Sequence, residues 1–125
     1  MKKILVVDDS ESVTNLLKTK LEKTGHYQVR VENEPREAVQ AAREFQPDLV
    51  LLDVMMPSMG GEEVLNWLRA EPGFRETPVY FLTALVSKKE VELKNRDIGG
   101  NLFIAKPIDI EEVLGCIQEA LGPPL

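Results

Sequence analysis

The sequence predicts an α/β fold of the doubly wound kind: a five-stranded parallel sheet with five helices, stacked as a three-layer α/β/α sandwich. Five short apolar runs occur in order, beginning near Lys3, Tyr27, Asp48, Pro78 and Asn101, and each leads into a stretch with helical spacing. That alternation is the pattern of successive βα units. Three of the runs, Ile4 to Val7, Leu49 to Leu52 and Val79 to Leu82, are continuously apolar, as strands covered on both faces are. The length of 125 residues suits one domain, whose core can bury roughly two thirds of the surface that its unfolded chain exposes. That domain is expected over residues 1–122, with 123–125 as a tail or the start of a linker.

The elements follow in order. After the first strand, Val13, Leu16, Leu17 and Leu21 fall on one helical face, and Gly25 is a C-terminal stop. The second run, "YQVRVE", alternates apolar and polar residues, which places it near a sheet edge. A helix over Asn33 to Phe45 carries Ala38, Ala41, Ala42 and Phe45 as its stripe, and one over Gly61 to Ala70 carries Val64, Leu65 and Leu68. Ser87 with Glu90, and Asp109 with Glu112, have the spacing of a capping box, in which side chains satisfy the open N–H groups of a helix start. The fourth helix has the thinnest apolar face, chiefly Val91 and Ile98 with Leu93 to one side. The last helix presents Val113, Leu114, Ile117 and Leu121 and stops at "GPP". Cys116 and Trp67 read as packing groups on amphipathic helices, and His26 as a surface loop residue.

Composition excludes several functions. A formal net charge of −6 and a pI near 4.9 do not suit direct nucleic-acid binding, which needs a basic face to neutralise phosphates. The one cysteine allows no internal disulfide, the N-terminus lacks the apolar core of a signal peptide, and the apolar runs are far too short to cross a membrane. A cytoplasmic domain is expected.

In an open parallel sheet, ligands bind beyond the carboxyl ends of the strands. The first strand delivers Asp8 and Asp9 there, the third Asp53, the fourth Thr83, and the fifth Lys106 followed by Pro107. The second delivers only Glu32 and Asn33. In the flavodoxin-like order 2-1-3-4-5 the four informative ends are contiguous. Three carboxylates at one sheet mouth repel one another unless protons or a cation offset them. A hard divalent ion, Mg2+ or Mn2+, is the natural solution, and the lack of a Cys or His cluster argues against zinc. A lysine ammonium and a threonine hydroxyl add two groups that hold anionic oxygens. Metal, carboxylate, lysine and hydroxyl together describe a phosphoryl-transfer site. Asp8 and Asp9, adjacent in sequence, suit a shared metal-binding role. Asp53, alone before the irregular "VMMPSMGG", is the choice for a nucleophile that forms an aspartyl phosphate.

"VVDD", "LLDVMMPSMGG", "FLTA" and "AKP", in this order and at these distances, resemble the receiver domain of two-component response regulators, a CheY-like fold. The likeness runs from Lys2 to about Leu121. It implies that Asp53 is the phosphoacceptor, that Asp8, Asp9, Asp53 and the backbone carbonyl of Met55 hold the metal, and that Thr83 and Lys106 are the switch hydroxyl and phosphate-binding lysine. Phe103 matches the aromatic that moves with phosphorylation, and Lys106-Pro107 the pair that usually forms a cis bond. The resemblance further implies a signalling switch instead of a turnover enzyme, a sensor histidine kinase or histidine phosphotransfer protein as donor, and a downstream effector that the sequence does not identify; homodimer formation is left open. Two departures stand out. Gly60 and Gly61 replace the frequent Asp-Gly, which should loosen the loop before the third helix. Met55 and Leu85 are apolar where the family tunes phosphate loss through water, which implies a shielded, long-lived phosphoryl group.

Each residue alone has an ordinary explanation: Asp9 or Ser10 as a helix cap, Thr83 as a strand residue, Lys-Pro as a turn, Asp53 as a turn acid. Joint placement decides against that. A flavin carrier would need a hydroxyl- and glycine-rich phosphate loop where "DDSESVTN" offers acids, and a nucleotide hydrolase would need a Gly-rich loop ending in Lys-Ser or Lys-Thr. The remaining alternative is a degenerate receiver that binds partners without being phosphorylated.

Overall fold

A computed structural model describes residues 1–98 and 100–124; Leu125, the end of the expected tail, lies outside them. The strands are β1 (Lys2–Val7), β2 (Tyr27–Glu32), β3 (Leu49–Asp53), β4 (Val79–Thr83), β5 (Asp97–Ile98) and β6 (Asn101–Ala105). The helices are α1 (Glu11–Lys23), α2 (Ala38–Phe45), α3 (Gly61–Ala70), α4 (Lys88–Leu93) and α5 (Ile110–Leu121). The sheet order is β2-β1-β3-β4-β6-β5.

The continuously apolar runs divide as a two-sided sheet requires. Ile4 and Val6, Leu49 and Leu51, and Tyr80 and Leu82 pack in one cluster with Leu17 and Leu21 of α1 and Val113 and Ile117 of α5. Their neighbours Leu5 and Val7, Val50 and Leu52, and Val79 and Phe81 pack in a second cluster with Ala38, Ala41 and Ala42 of α2 and Val64 and Leu68 of α3. Alternate residues of a strand point to opposite faces, so a run without polar interruption fills both cores at once. Each fully buried Leu or Ile contributes roughly 1.5 to 3 kcal/mol of transfer free energy. β2 lies at the edge, as its alternation predicts.

Several elements differ from the expectation. Among the described residues the sheet has six strands, not five, and is not wholly parallel. The fifth apolar run is β6, parallel to β4, and β5 adds a two-residue antiparallel edge through Asp97 to Leu102 and Ile98 to Asn101. The fourth helix is correspondingly short: Asn95 and Arg96 are left-handed, with φ of 51° and 66°, and turn the chain out of α4. Ile98 therefore sits on a strand, which leaves Val91 as the buried residue of α4. The helix expected from Asn33 begins instead with a 3₁₀ turn, Pro35–Glu37, because Pro35 fixes φ and has no N–H to give, and Glu34 caps it through Arg36 N–H. Ser87 caps α4 through Glu90 N–H at 3.0 Å. Asp109 caps α5 through Glu111 N–H at 3.0 Å, while Glu112 turns away to pair with Arg96 at 2.9 Å and Lys88 at 3.3 Å.

Two packing expectations are corrected. Leu16 and Trp67 are exposed, at 40% and 44%. On α1 the fully buried position beside Leu17 is instead Thr14. Cys116 is buried in the first cluster and His26 is exposed, as expected.

Candidate functional site

The site forms where β1, β3, β4 and β6 end together. Asp8 N–H still donates to Glu32 O at 3.2 Å, so Asp8 is the last residue held by the sheet, and it is fully buried. Its carboxylate accepts from Ser10 N–H at 2.9 Å on Oδ1 and from Lys106 Nζ at 3.0 Å on Oδ2. Ser10 in turn caps α1 by accepting from Val13 N–H. Asp9, between them, is exposed. Asp53 closes β3, 5% exposed, with Oδ1 accepting from Met55 N–H at 3.4 Å and lying 3.5 Å from Lys106 Nζ. Thr83 closes β4; its hydroxyl accepts from Leu85 N–H at 3.0 Å, and its carbonyl accepts from Lys106 N–H at 2.7 Å. Lys106 follows β6 and is joined to Pro107 by a cis peptide bond.

One carboxylate oxygen from each of Asp8, Asp9 and Asp53 lies within 4.8 Å of the others. The side chains of Met55 and Leu85 are exposed, at 64% and 67%, and their N–H groups are the ones turned to Asp53 and Thr83. Phe103 is half-buried, its ring 5.4 Å from that of Phe81, on the sheet face packed by α2 and α3. Two residues that the sequence does not point to, Thr14 and Asn33, adjoin the acidic pair: Asn33 Nδ2 donates to Asp8 O at 2.8 Å and to Thr14 Oγ1 at 3.0 Å. Thr14 looked like one more polar position on α1, and Asn33 lies at a strand end that carried no chemical signal.

The electrostatics follow from one ammonium facing three carboxylates. Burial, then the adjacent Asp8 charge, push the Asp53 carboxyl up from 3.8 to about 6, against the pull of Lys106 and Met55 N–H, with Asp9 adding to the rise. Burial works against the Lys106 ammonium, but Asp8 and Asp53 outweigh it and hold its pKa above the usual lysine value. The site thus carries more negative charge than the protein offsets. Its ligand atoms are oxygens with no sulfur or imidazole among them, the donor set of a hard cation such as Mg2+.

A pH dependence follows. A carboxyl whose folded pKa is raised contributes stability below its unfolded pKa and loses it as pH rises through the folded value. Between about pH 4 and 6 Asp53 therefore turns from neutral to destabilising in the metal-free protein. The shift corresponds to roughly 3 kcal/mol, of which roughly 1 to 2 kcal/mol should survive screening by solvent and ions that reach the cluster through the exposed Asp9. Asp53→Asn is expected to stabilise the metal-free protein by that amount at pH 7.5 and by nothing at pH 3.5, measured by urea unfolding. An equal effect at both pH values would show that charge is not the cause.

A doubly wound sheet with acids, a hydroxyl and a lysine converging on its carboxyl edge defines a class of phosphoryl-handling α/β domains. Within that class, residues 4–118 match the family described as response regulator receiver domain, and the chain belongs to it. It is 34% identical to the polar-differentiation response regulator DivK of Brucella anthropi over 121 residues, covering 97% of both chains. It is 42% identical to the uncharacterized transcriptional regulatory protein YkoG of Bacillus subtilis over 118 residues, 94% of this chain but 50% of that protein. Among solved structures it superposes on the chemotaxis protein CheY4 of Vibrio cholerae with a TM-score of 0.82 at 30% identity, covering 97% and 99% of the two chains.

Proposed function

We propose that the chain is a phosphorylation-controlled switch in which Asp53 is the phosphoacceptor. The observation that carries this is the convergence of Asp8, Asp9, Asp53 and Lys106 at one sheet edge. A partner's phosphohistidine would supply the phosphoryl group. An Asp53 carboxylate oxygen forms the new O–P bond, the P–N bond breaks, and its electron pair returns to the imidazole. Asp8 and Asp9, with Asp53 and the Met55 carbonyl, would hold Mg2+ or Mn2+. When bound, that ion supplies positive charge to the phosphoryl oxygens and relieves the repulsion among the carboxylates. Lys106 and the Thr83 hydroxyl would receive the other oxygens. Thr83 moving toward the acyl phosphate, with Phe103 following, would shift the population between two states of the surface around α4, β6 and α5. The domain, over 1–122, would act in the cytoplasm, between a sensor histidine kinase or histidine phosphotransfer protein and a downstream effector.

Incubation with acetyl phosphate and Mg2+, read by intact mass, tests this. A gain of one phosphoryl mass is expected in the wild type and none in Asp53→Ala; no gain in the wild type would favour an unphosphorylated interaction module. After removal of the donor, the same samples report the lifetime. Met55→Asn with Leu85→Glu should lose the phosphoryl group faster, and an unchanged rate would dismiss shielding by these apolar side chains.

A further inference from the structure

The β1–β2 ladder ends in an unusual way. Parallel pairing runs from Lys2 with Tyr27 to Val7 with Glu32, and Asp8 N–H extends it by one bond to Glu32 O. The next bond would need a backbone N–H from β2 for Asp8 O, but β2 has ended. The Asn33 side chain takes its place, with Nδ2 donating to Asp8 O at 2.8 Å. The same nitrogen donates to Thr14 Oγ1 at 3.0 Å, and that hydroxyl donates onward to Glu11 O at 3.2 Å. A carbonyl can only accept, and the Thr14 proton is already used, so both partners require the amide nitrogen, and the side chain has one orientation. Thr14 is fully buried on the core face of α1, a costly place for a hydroxyl without this partner.

The Asp8 carbonyl belongs to the peptide that joins Asp8 to Asp9. Fixing that peptide plane fixes where Asp9 N and Cα lie, and Ser10 N–H, held by the Asp8 carboxylate, restrains the peptide on the other side of Asp9, so that together they limit where its side chain can point. Asp8 is separately held by Ser10 N–H and Lys106, whereas among the described residues no hydrogen bond or ion pair holds the exposed Asp9 carboxylate. We propose that Asn33, seated on Thr14, is a positioning residue for the divalent cation: it orients the Asp8–Asp9 peptide so that both carboxylates face the same point as Asp53. It acts through the acidic pair and touches neither cation nor phosphoryl group. This inference rests on the cation-binding reading of the site.

The test is Mg2+ affinity of the unphosphorylated protein by titration calorimetry, at a temperature where urea unfolding shows each variant folded. Partners that orient metal ligands are worth roughly ten- to a hundredfold in affinity. Asn33→Ala is expected to weaken Mg2+ binding by at least about tenfold on that scale. Thr14→Val, nearly isosteric, should weaken it by a smaller factor, Thr14→Ser should restore it, and the Asn33→Ala, Thr14→Val pair should be no weaker than Asn33→Ala alone, since both break one chain of bonds. A residue that merely finishes the ladder would lower unfolding stability and leave Mg2+ affinity unchanged. Wild-type affinity in Asn33→Ala would therefore overturn the inference while leaving the cation site intact. A wild type that binds no Mg2+ would overturn the cation reading and this inference with it.

Discussion

Lys106→Met is expected to cost the metal-free protein roughly 3 kcal/mol at pH 7, the scale of leaving a buried charge without its partner. Asp8 is fully buried and Asp53 nearly so, and among the described residues Lys106 is the cation paired with both, at 3.0 and 3.5 Å. The methionine fills a similar volume, so the loss reports charge and not a cavity. Its dependence on conditions identifies the cause. Because the folded lysine pKa is raised, the stability that the ammonium contributes is fully present below the ordinary lysine pKa and is lost only as pH rises through the folded value. The deficit of the variant should therefore be full at pH 7. It should shrink as pH falls through about 6, where Asp53 takes up its proton and no longer needs the ammonium. It should also shrink on adding Mg2+, which replaces one positive charge with two. Urea unfolding at pH 7 and pH 3.5, with and without Mg2+, measures all three. A variant within about 0.5 kcal/mol of wild type at pH 7, the usual range for surface substitutions, would mean that the acidic pair does not depend on Lys106.

The sheet was legible because its signal is redundant. β1, β3 and β4 each show four consecutive apolar residues that divide between the two cores, and no other element type explains that run together with its flanking polar residues. β5 was not legible. Two residues carry no periodicity, and the turn into them is set by left-handed Asn95 and Arg96, residue types that do not announce such a conformation as glycine would. The gathering of Asp8, Asp9, Asp53, Thr83 and Lys106 was readable because strand ends in a parallel sheet share an edge whatever the side-chain details. Asn33 was not, since its role depends on the ladder running out one residue before Asp8 O is satisfied, a matter of register that a single strand does not encode. Trp67 departs in the other direction: α3 is amphipathic as its periodicity predicts, but its buried stripe is confined to Gly61, Val64 and Leu68, and its largest side chain falls outside it.

Gly61→Ala is expected to destabilise the protein by roughly 3 kcal/mol, at the upper end of overpacking costs. The expectation that Gly60 and Gly61 loosen the loop does not describe Gly61, where the chain is closely packed. A methyl group at Gly61 would meet Asp53 O at 2.3 Å, Val54 Cα at 3.0 Å and Asp53 C at 3.1 Å, all backbone atoms that cannot rotate away. Gly61 N–H also donates to Val54 O at 2.9 Å, so the first residue of α3 is pressed against the peptide that follows the acidic strand end. The requirement is space, not an unusual dihedral angle. At Gly60 the added carbon would find its nearest neighbour, Val54 O, at 3.7 Å, an ordinary contact. Gly60 caps α3 in an extended conformation with φ of −75° and no side-chain hydrogen bond, so Gly60→Ser should change stability by only a few tenths of a kcal/mol. To admit a methyl group at Gly61, α3 must lift away from β3 or the Asp53–Val54 peptide must turn, and either movement disturbs the Met55 N–H bond to the Asp53 carboxylate. Gly61→Ala should consequently accept phosphate from acetyl phosphate more slowly than Gly60→Ser even where both are folded. Equal stability and equal rates for the two variants would remove the close approach of α3 as a determinant of the Asp53 site.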